Sequence, residues 1–213
     1  MSYRIAARRP GVGQDLLDAY RTIATSTIGH LTDSGYLRGI RPLSDGMRML
    51  GPVVTVKLFT PDGSIIREAL LASEPGDVLV IECVGDPDCA CWGELRTLAG
   101  LAKGLAGVVV AGAVTDVGAL RRHRLPVFCQ GVSALTTRSL GVRGEVNQPV
   151  RVGAVPVQPG DLAIGDDDGV FILAAQQAHD LLAALLAKEH ADQMRRDELM
   201  LKVNARRLSE SSC

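Results

Sequence analysis

Apolar residues recur along this chain at two spacings, and the spacing changes at glycines and prolines. Asp15 to Thr25 carries Leu16, Leu17, Tyr20 and Ile23 near helical spacing, which predicts a helix. A second short helix is expected over Thr27 to Asp33, ending at Gly35. Gly51 to Thr60 reads as a strand, because Val53, Val54, Val56 and Leu58 are β-formers or apolar. Pro61-Asp62-Gly63 makes a turn, and Ser64 is suited to cap the helix that follows, with Ile65, Ile66, Ala69 and Leu70 on its inner side. Pro75-Gly76-Asp77 is a further turn, leading to a buried strand from Val78 to Cys83. A loop from Gly85 to Trp92 holds two aspartates and precedes a helix from Gly93 to Lys103. Gly107 to Ala111 is then a strand, Asp116 to His123 a helix and Pro126 to Cys129 a strand. This alternation predicts an α/β layer with parallel pairing.

The pattern changes after Gly131. Short β-like pieces separated by Pro and Gly run from Gly144 to Ile172, which predicts a small mixed or antiparallel sheet packed on the α/β part. Within it, Asp166-Asp167-Asp168-Gly169 puts carboxylates in a row. An Asp-Gly pair between two apolar runs signals a hairpin, and that reading is preferred to a catalytic one. From Gln176 to about Arg207 the pattern is helical, with a stripe of Leu181, Leu182, Leu185 and Leu186. A helix of about thirty residues is about 45 Å long, more than a domain of this size needs. Its charged second half is expected to project and touch another subunit, or to fray. The fold class is therefore α/β, a compact layered sandwich with a mixed sheet, a helical N-terminus and a long C-terminal helix. One domain is expected over residues 1–213, with its core at about 50–175.

Composition narrows the function classes. The 213 residues carry a net charge of −1, so no clustered basic excess points to nucleic acid. Aromatics make up only 3%, which leaves the core to Val, Leu, Ile and Ala. Apolar runs are short and broken by charge, and the first residues lack the apolar stretch of a secretory signal. No membrane partner is expected. The five cysteines, Cys83, Cys89, Cys91, Cys129 and Cys213, are odd in number and scattered. They fit reduced thiols in a cytoplasm better than a disulfide framework. Cys89-Ala90-Cys91 lacks the second pair that a structural zinc site uses, and reads as a loop with two small thiols.

Two helix starts carry the candidate chemistry. One is Trp92-Gly93-Glu94-Leu95-Arg96, the other Thr115-Asp116. In a parallel layer both lie at carboxyl ends of strands, where ligands bind. Free N–H groups at a helix start can hold a carboxylate or phosphate. Glu94 and Asp116 could share a divalent cation, and oxygen ligands with water suit Mg²⁺ or Mn²⁺. Spacing alone leaves the alternative that these acids merely complement helix dipoles.

The block from Gly51 to Leu173 resembles the family of the regulator of ribonuclease activity A and the metal-dependent 4-hydroxy-4-methyl-2-oxoglutarate / 4-carboxy-4-hydroxy-2-oxoadipate aldolases. The matching pieces include Gly51-Pro-Val-Val-Thr-Val, Pro75-Gly-Asp-Val-Leu-Val, Trp92-Gly-Glu-Leu and Gly107-Val-Val-Val-Ala-Gly-Ala-Val-Thr-Asp. Others are Pro126-Val-Phe, Gly144-Glu-Val-Asn-Gln-Pro-Val, Pro159-Gly-Asp-Leu and Asp167-Asp-Gly-Val. The resemblance implies a trimer or a dimer of trimers with sites near subunit interfaces. It implies that Gly93, Glu94, Leu95 and Arg96 bind a substrate carboxylate, that Asp116 holds the metal, and that Glu94 holds or polarises metal-bound water. A further acid from a neighbour's C-terminal helix is implied, and Glu189 is the nearest match. The chemistry implied is retro-aldol cleavage of a 2-oxo acid to pyruvate, or decarboxylation of oxaloacetate through the same enolate.

This chain departs from that pattern at Thr115, where the aldolases have arginine, and at Ala111, where the family tends to carry aspartate. Guanidinium is a fixed bidentate donor, and threonine offers one neutral hydroxyl. Loss of an oxyanion donor costs on the order of 10²–10³ in rate. Three explanations stand beside one another: a substitute cation (Arg96 first, then Arg121 or Arg122), a different substrate, or a non-catalytic protein-binding role like that of the ribonuclease regulator. His30, His123, His179 and His190 read as packing or solvated residues. Ser133, Thr136 and Thr137 have no evident partner base. Glu145 and Asn147 suit a loop or interface as well as a site.

Overall fold

The computed structural model describes residues 2–210. Its centre is a run of parallel strands: β3 (Met49–Phe59), β4 (Val78–Val84), β5 (Gly107–Val114) and β6 (Val127–Val132). Val78 to Ile81 and Val108 to Val110 are fully buried, the continuous apolar pattern of strands covered on both faces. The crossovers are α3 (Ile65–Ala72), α4 (Glu94–Lys103) and α5 (Val117–His123). Gly104 closes α4 in the left-handed region, at φ 79°.

Strands of opposite direction extend this centre into a mixed sheet. At one side β7 (Arg143–Val146) pairs antiparallel with β3, and β1 (Ser2–Ile5) pairs with β7. At the other, β2 (Arg41–Pro42) pairs antiparallel with β6. The first residues of β3 pair antiparallel with β10 (Leu162–Asp166), which forms a hairpin with β11 (Gly169–Leu173). Two expectations are corrected here. The N-terminus opens with a strand before its helices, because β7 offers Ser2–Ile5 a free edge. The segment after Gly131 is not a separate small sheet, since β7, β10 and β11 all join the main sheet through the long β3. Only β8 (Val150–Val152) and β9 (Val155–Val157) stand apart, as their own hairpin.

A second core forms between this sheet and the helices at both chain ends. Leu16 and Tyr20 of α1 (Gln14–Tyr20) and Ile28 of α2 (Thr25–Leu31) pack with Ile164, Phe171 and Leu185. The two helices expected over Asp15 to Thr25 and Thr27 to Asp33 are both present with shifted bounds: α1 ends at Tyr20 and α2 already starts at Thr25. Two carboxylates fix the new start: Glu189 accepts the Ala24 N–H, and Asp166 accepts the Thr25 N–H at 2.8 Å. The last helix, α6 (Ala175–Glu210), has 36 residues and is exposed over most of its length beyond Glu189. Among the described residues no helix is long and apolar enough to cross a membrane.

The turn at Pro61 to Ser64 is held by an acid. Buried Asp62 accepts N–H groups from Ser64, Leu140, Gly141, Val142 and Arg143, and the Ser64 hydroxyl at 2.6 Å. Ser64 makes no capping hydrogen bond of its own, contrary to the sequence expectation.

Candidate active site

Residues 90 to 92 run as a short extended segment beside the end of β5. Cys91 N–H donates to Ala113 O at 3.2 Å, and Thr115 N–H to Trp92 O at 2.8 Å. On the other side Ala90 exchanges hydrogen bonds with Leu135 and Thr137. Trp92 is fully buried, and its Nε1 donates to Thr97 Oγ1 at 2.9 Å, which seats the start of α4 on the core. The loop after β4 is thereby brought back against the end of β5, and the two helix starts become neighbours.

Asp116 ends β5's excursion in the left-handed region, with φ 54° and ψ 36°. This conformation is uncommon for a residue with a side chain, though aspartate tolerates it better than most. It turns the chain at the start of α5 and directs the carboxylate at α4, where Oδ2 accepts the Glu94 N–H at 2.9 Å. Leu95 and Arg96 N–H are the remaining orphan donors of that first turn. Gly93 makes the approach possible. A β-carbon on it would lie 2.5 Å from Asp116 Oδ2 and 2.9 Å from Thr115 Cγ2.

The cleft so formed has a volume of about 260 Å³ and gathers Gly93, Glu94, Arg96, Thr115, Asp116 and Thr137. All six residues expected at the site from the two helix starts line it, with Leu95, 81% exposed, at its rim. A wider groove of about 700 Å³ between α3 and α4 shares Leu95 and Arg96 with it.

Arg96 is largely buried in the wall. Its guanidinium donates to Cys91 O, to Gly63 O at 3.0 Å and to Thr137 Oγ1 at 3.4 Å. Among the described residues no carboxylate pairs with it, and burial pulls its pKa below the usual arginine value. The solvent-facing position typical of a helix arginine is therefore not the one it takes. Arg121 and Arg122 are exposed on α5.

His123 was expected to be solvated. Instead its Nε2 lies 3.1 Å from Glu94 Oε1, with both side chains partly exposed. Sequence spacing gave no signal of this, because the contact crosses from the last turn of α5 to the first turn of α4. Glu189 lies elsewhere in the protomer: its Oε1 accepts the Ala24 N–H at 3.1 Å and the Thr27 hydroxyl at 2.6 Å. The three aspartates at 166 to 168 form the β10–β11 turn, as the hairpin reading expected. Cys213 lies outside the described residues.

Among the described residues no group of three or more His, Cys, Asp and Glu side chains forms a ready metal cage. Asp116 with Glu94 beside it does fit a hydrated Mg²⁺ or Mn²⁺, which is commonly bound through one or two carboxylates with water and substrate oxygens completing the shell. Asp116 Oδ1 accepts no hydrogen bond from the described residues, which leaves an oxygen for that purpose.

Comparison with known proteins agrees with this reading of the fold. Residues 14–172 match the family model described as RraA-like, Aldolase/RraA. A protein of Halalkalibacterium halodurans named "Putative 4-hydroxy-4-methyl-2-oxoglutarate aldolase" is 34% identical over 185 residues, covering 85% of this chain and 87% of that one. A protein of the same name from Alkalilimnicola ehrlichii is 39% identical over 134 residues, 62% of this chain and 81% of that one. Among solved structures, Streptomyces coelicolor RraAS2, titled an unusual member of the RNase ES inhibitor RraA protein family, has the same fold. Its TM-score is 0.77 at 24% identity, over 88% of this chain and 98% of that one. The RNA-processing inhibitor RraA from Thermus thermophilis gives a TM-score of 0.64 at 28% identity, over 71% of this chain and 92% of that one.

Proposed function

The chain belongs to the RraA-like family, and we propose that it is a divalent-metal-dependent lyase that cleaves a 2-oxo acid to release pyruvate, by retro-aldol fission or by decarboxylation of oxaloacetate. The observation that carries this reading is the Asp116 carboxylate, held in a left-handed turn against the Glu94 N–H across a glycine that leaves it room. A helix start of this kind suits a 2-oxo acid, because orphan N–H groups and the helix dipole favour a carboxylate.

Asp116 would hold Mg²⁺ or Mn²⁺, with Glu94 beside it. The bound cation would act as the Lewis acid that stabilises charge developing on the substrate's keto oxygen. Leu95 and Arg96 N–H receive the substrate carboxylate, and the buried Arg96 guanidinium adds positive charge to the same wall. Glu94 takes the proton of the substrate hydroxyl, and His123 orients Glu94 through the 3.1 Å contact. Thr115 contributes a neutral hydroxyl where the aldolases have arginine, so the substrate of this chain differs from theirs or turns over more slowly. Glu189 docks α6 in its own chain, and a catalytic part for it would be supplied by a neighbouring subunit's α6. The exposed second half of α6 leaves a surface for contact with another subunit, and the assembly proposed is a homotrimer or hexamer.

The test is pyruvate release from oxaloacetate and from 4-hydroxy-4-methyl-2-oxoglutarate with Mg²⁺, with Mn²⁺ and with chelator, on the wild type and Asp116→Ala. Metal-dependent turnover lost in Asp116→Ala is expected. No turnover of either compound above the metal-only background overturns the pyruvate-lyase assignment. Thr115 favours a second reading in that event, a non-catalytic regulator that binds another protein, and absence of metal binding would select it.

A further inference from the structure

Cys83, in the last residues of β4, and Cys91, two residues before the site glycine, bring their sulfurs to 3.6 Å. Cys91 is wholly buried and Cys83 half-buried, so the pair has one inner and one accessible member. Gly112 on β5 leaves the space for this contact, since a β-carbon there would lie 3.0 Å from Cys83 Sγ. Cys89 is also buried, but its sulfur is not within bonding reach of either partner among the described residues. The contact with Cys83, together with burial, keeps the Cys91 thiol protonated well above its usual range. Nothing in the proposed lyase chemistry uses either thiol.

We propose that Cys83 and Cys91 form a redox-sensitive dithiol that closes to a reversible disulfide when the protein meets a hydroperoxide. The sulfurs must approach from 3.6 Å to the bond length of about 2.05 Å, so closure draws Cys91 toward β4. The half-buried Cys83 thiolate attacks the peroxide, the O–O bond breaks, and Cys83 becomes a sulfenic acid as one water or alcohol leaves. The Cys91 sulfur then attacks the Cys83 sulfur. The S–O bond breaks, the Cys91 proton goes to the departing hydroxyl, and a second water leaves as the S–S bond forms. Two electrons pass from the sulfurs to the peroxide, and a thiol reductant reverses the change.

The placement ties this bond to the cleft. Cys91 O accepts the Arg96 guanidinium, and Cys91 is joined through Trp92 to Gly93. Drawing Cys91 toward β4 shifts the carbonyl that seats Arg96. Trp92 is the chain's only tryptophan, so its emission reports on the new bond beside it.

The experiment treats the full-length protein with hydrogen peroxide, then unfolds it, alkylates free thiols and weighs it. Alkylatable thiols are expected to fall from the five in the sequence to three, with a mass loss of about 2 Da in the unalkylated protein that dithiothreitol restores. Cleavage before Asp86 and Asp88 is expected to leave the Cys83 peptide joined to the one containing Cys91. The bond should persist in Cys89→Ser and vanish in Cys83→Ser and in Cys91→Ser. Trp92 emission should fall on oxidation of the wild type and stay constant on the same treatment of Cys83→Ser. Five thiols after peroxide, a cross-link that survives Cys91→Ser, or a Cys83 sulfinic acid without a cross-link would each overturn the proposal. None of these readouts depends on lyase activity.

Discussion

Gly93 stands so close to Asp116 that a β-carbon added to it would lie 2.5 Å from the Asp116 carboxylate oxygen. The backbone of Gly93 is extended, so the glycine is required for space and not for its dihedral angles. Gly93→Ala therefore acts on Asp116 directly: the carboxylate swings away and loses the Glu94 N–H. A displacement of this size at a metal-holding acid is expected to lower turnover by about 10²-fold. The change in folding stability should stay near 1 kcal/mol, the difference between good and poor residues at a helix N-cap. Steady-state pyruvate release with a thermal melt checks both. Unchanged turnover in a folded variant would show that Asp116 is not used where it stands.

His123 holds Glu94 from the neighbouring helix at 3.1 Å. If it orients that carboxylate, His123→Ala should lower turnover by roughly 10–100-fold, the usual loss when a partner of a site acid is removed. His123→Gln keeps an N–H donor of similar reach and should recover most of the rate. A merely structural histidine would lower stability in both variants and show no such recovery. The measurement is kcat for the three proteins at saturating metal, with melting temperatures alongside.

The parallel strands were legible in the sequence because Val78 to Ile81 and Val108 to Val110 are apolar runs bounded by Gly and Pro turns. The start of α5 was legible for the same reason, since it follows such a run, and the start of α4 follows the loop after β4. What could not be read were contacts between elements distant in sequence. Ser2–Ile5 looks like any short polar-apolar stretch, and becomes a strand only because β7 leaves an edge beside it. Arg96 is the first candidate cation in the sequence, but nothing there shows what holds its guanidinium, which Gly63 and Cys91 do by turning their carbonyls toward it from two loops. Two helices are legible here, but the start of α2 at Thr25 is set from afar, by Asp166 and Glu189.

Asp62 predicts an acid limit to stability. Burial alone would raise its pKa, but hydrogen bonds from the Ser64 side chain and from the Ser64, Val142 and Leu140 N–H groups outweigh that and hold it well below the usual carboxylate range. A lowered folded-state pKa contributes stability that is full above the unfolded value near 4 and is lost as pH falls toward the folded one. Urea midpoints should therefore decline below about pH 4 in the wild type. Asp62→Asn turns an amide donor toward several donors and should cost about 2–4 kcal/mol at pH 7. Its urea midpoint should lose less between pH 5 and pH 3 than that of the wild type. Equal pH profiles in the two proteins would sink this account.

Glu189 separates a structural from a catalytic acid. Its carboxylate oxygen accepts the Ala24 N–H and the Thr27 hydroxyl, which docks α6 on the start of α2 and places negative charge at that helix's N-terminus. Glu189→Ala removes both hydrogen bonds and should cost about 1–3 kcal/mol. At this chain length that corresponds to a fall in Tm of about 2–4 °C for each kcal/mol. Glu189→Gln keeps the acceptor oxygen and loses only the charge, so it should fall between the two. With docking as the sole role, turnover per folded protein stays level in both variants at a temperature well below either melt. A loss of kcat in Glu189→Gln with little change in Tm would instead give this carboxylate a part in the chemistry. Because the same oxygen is already bonded within its own chain, that part would require α2 to release it.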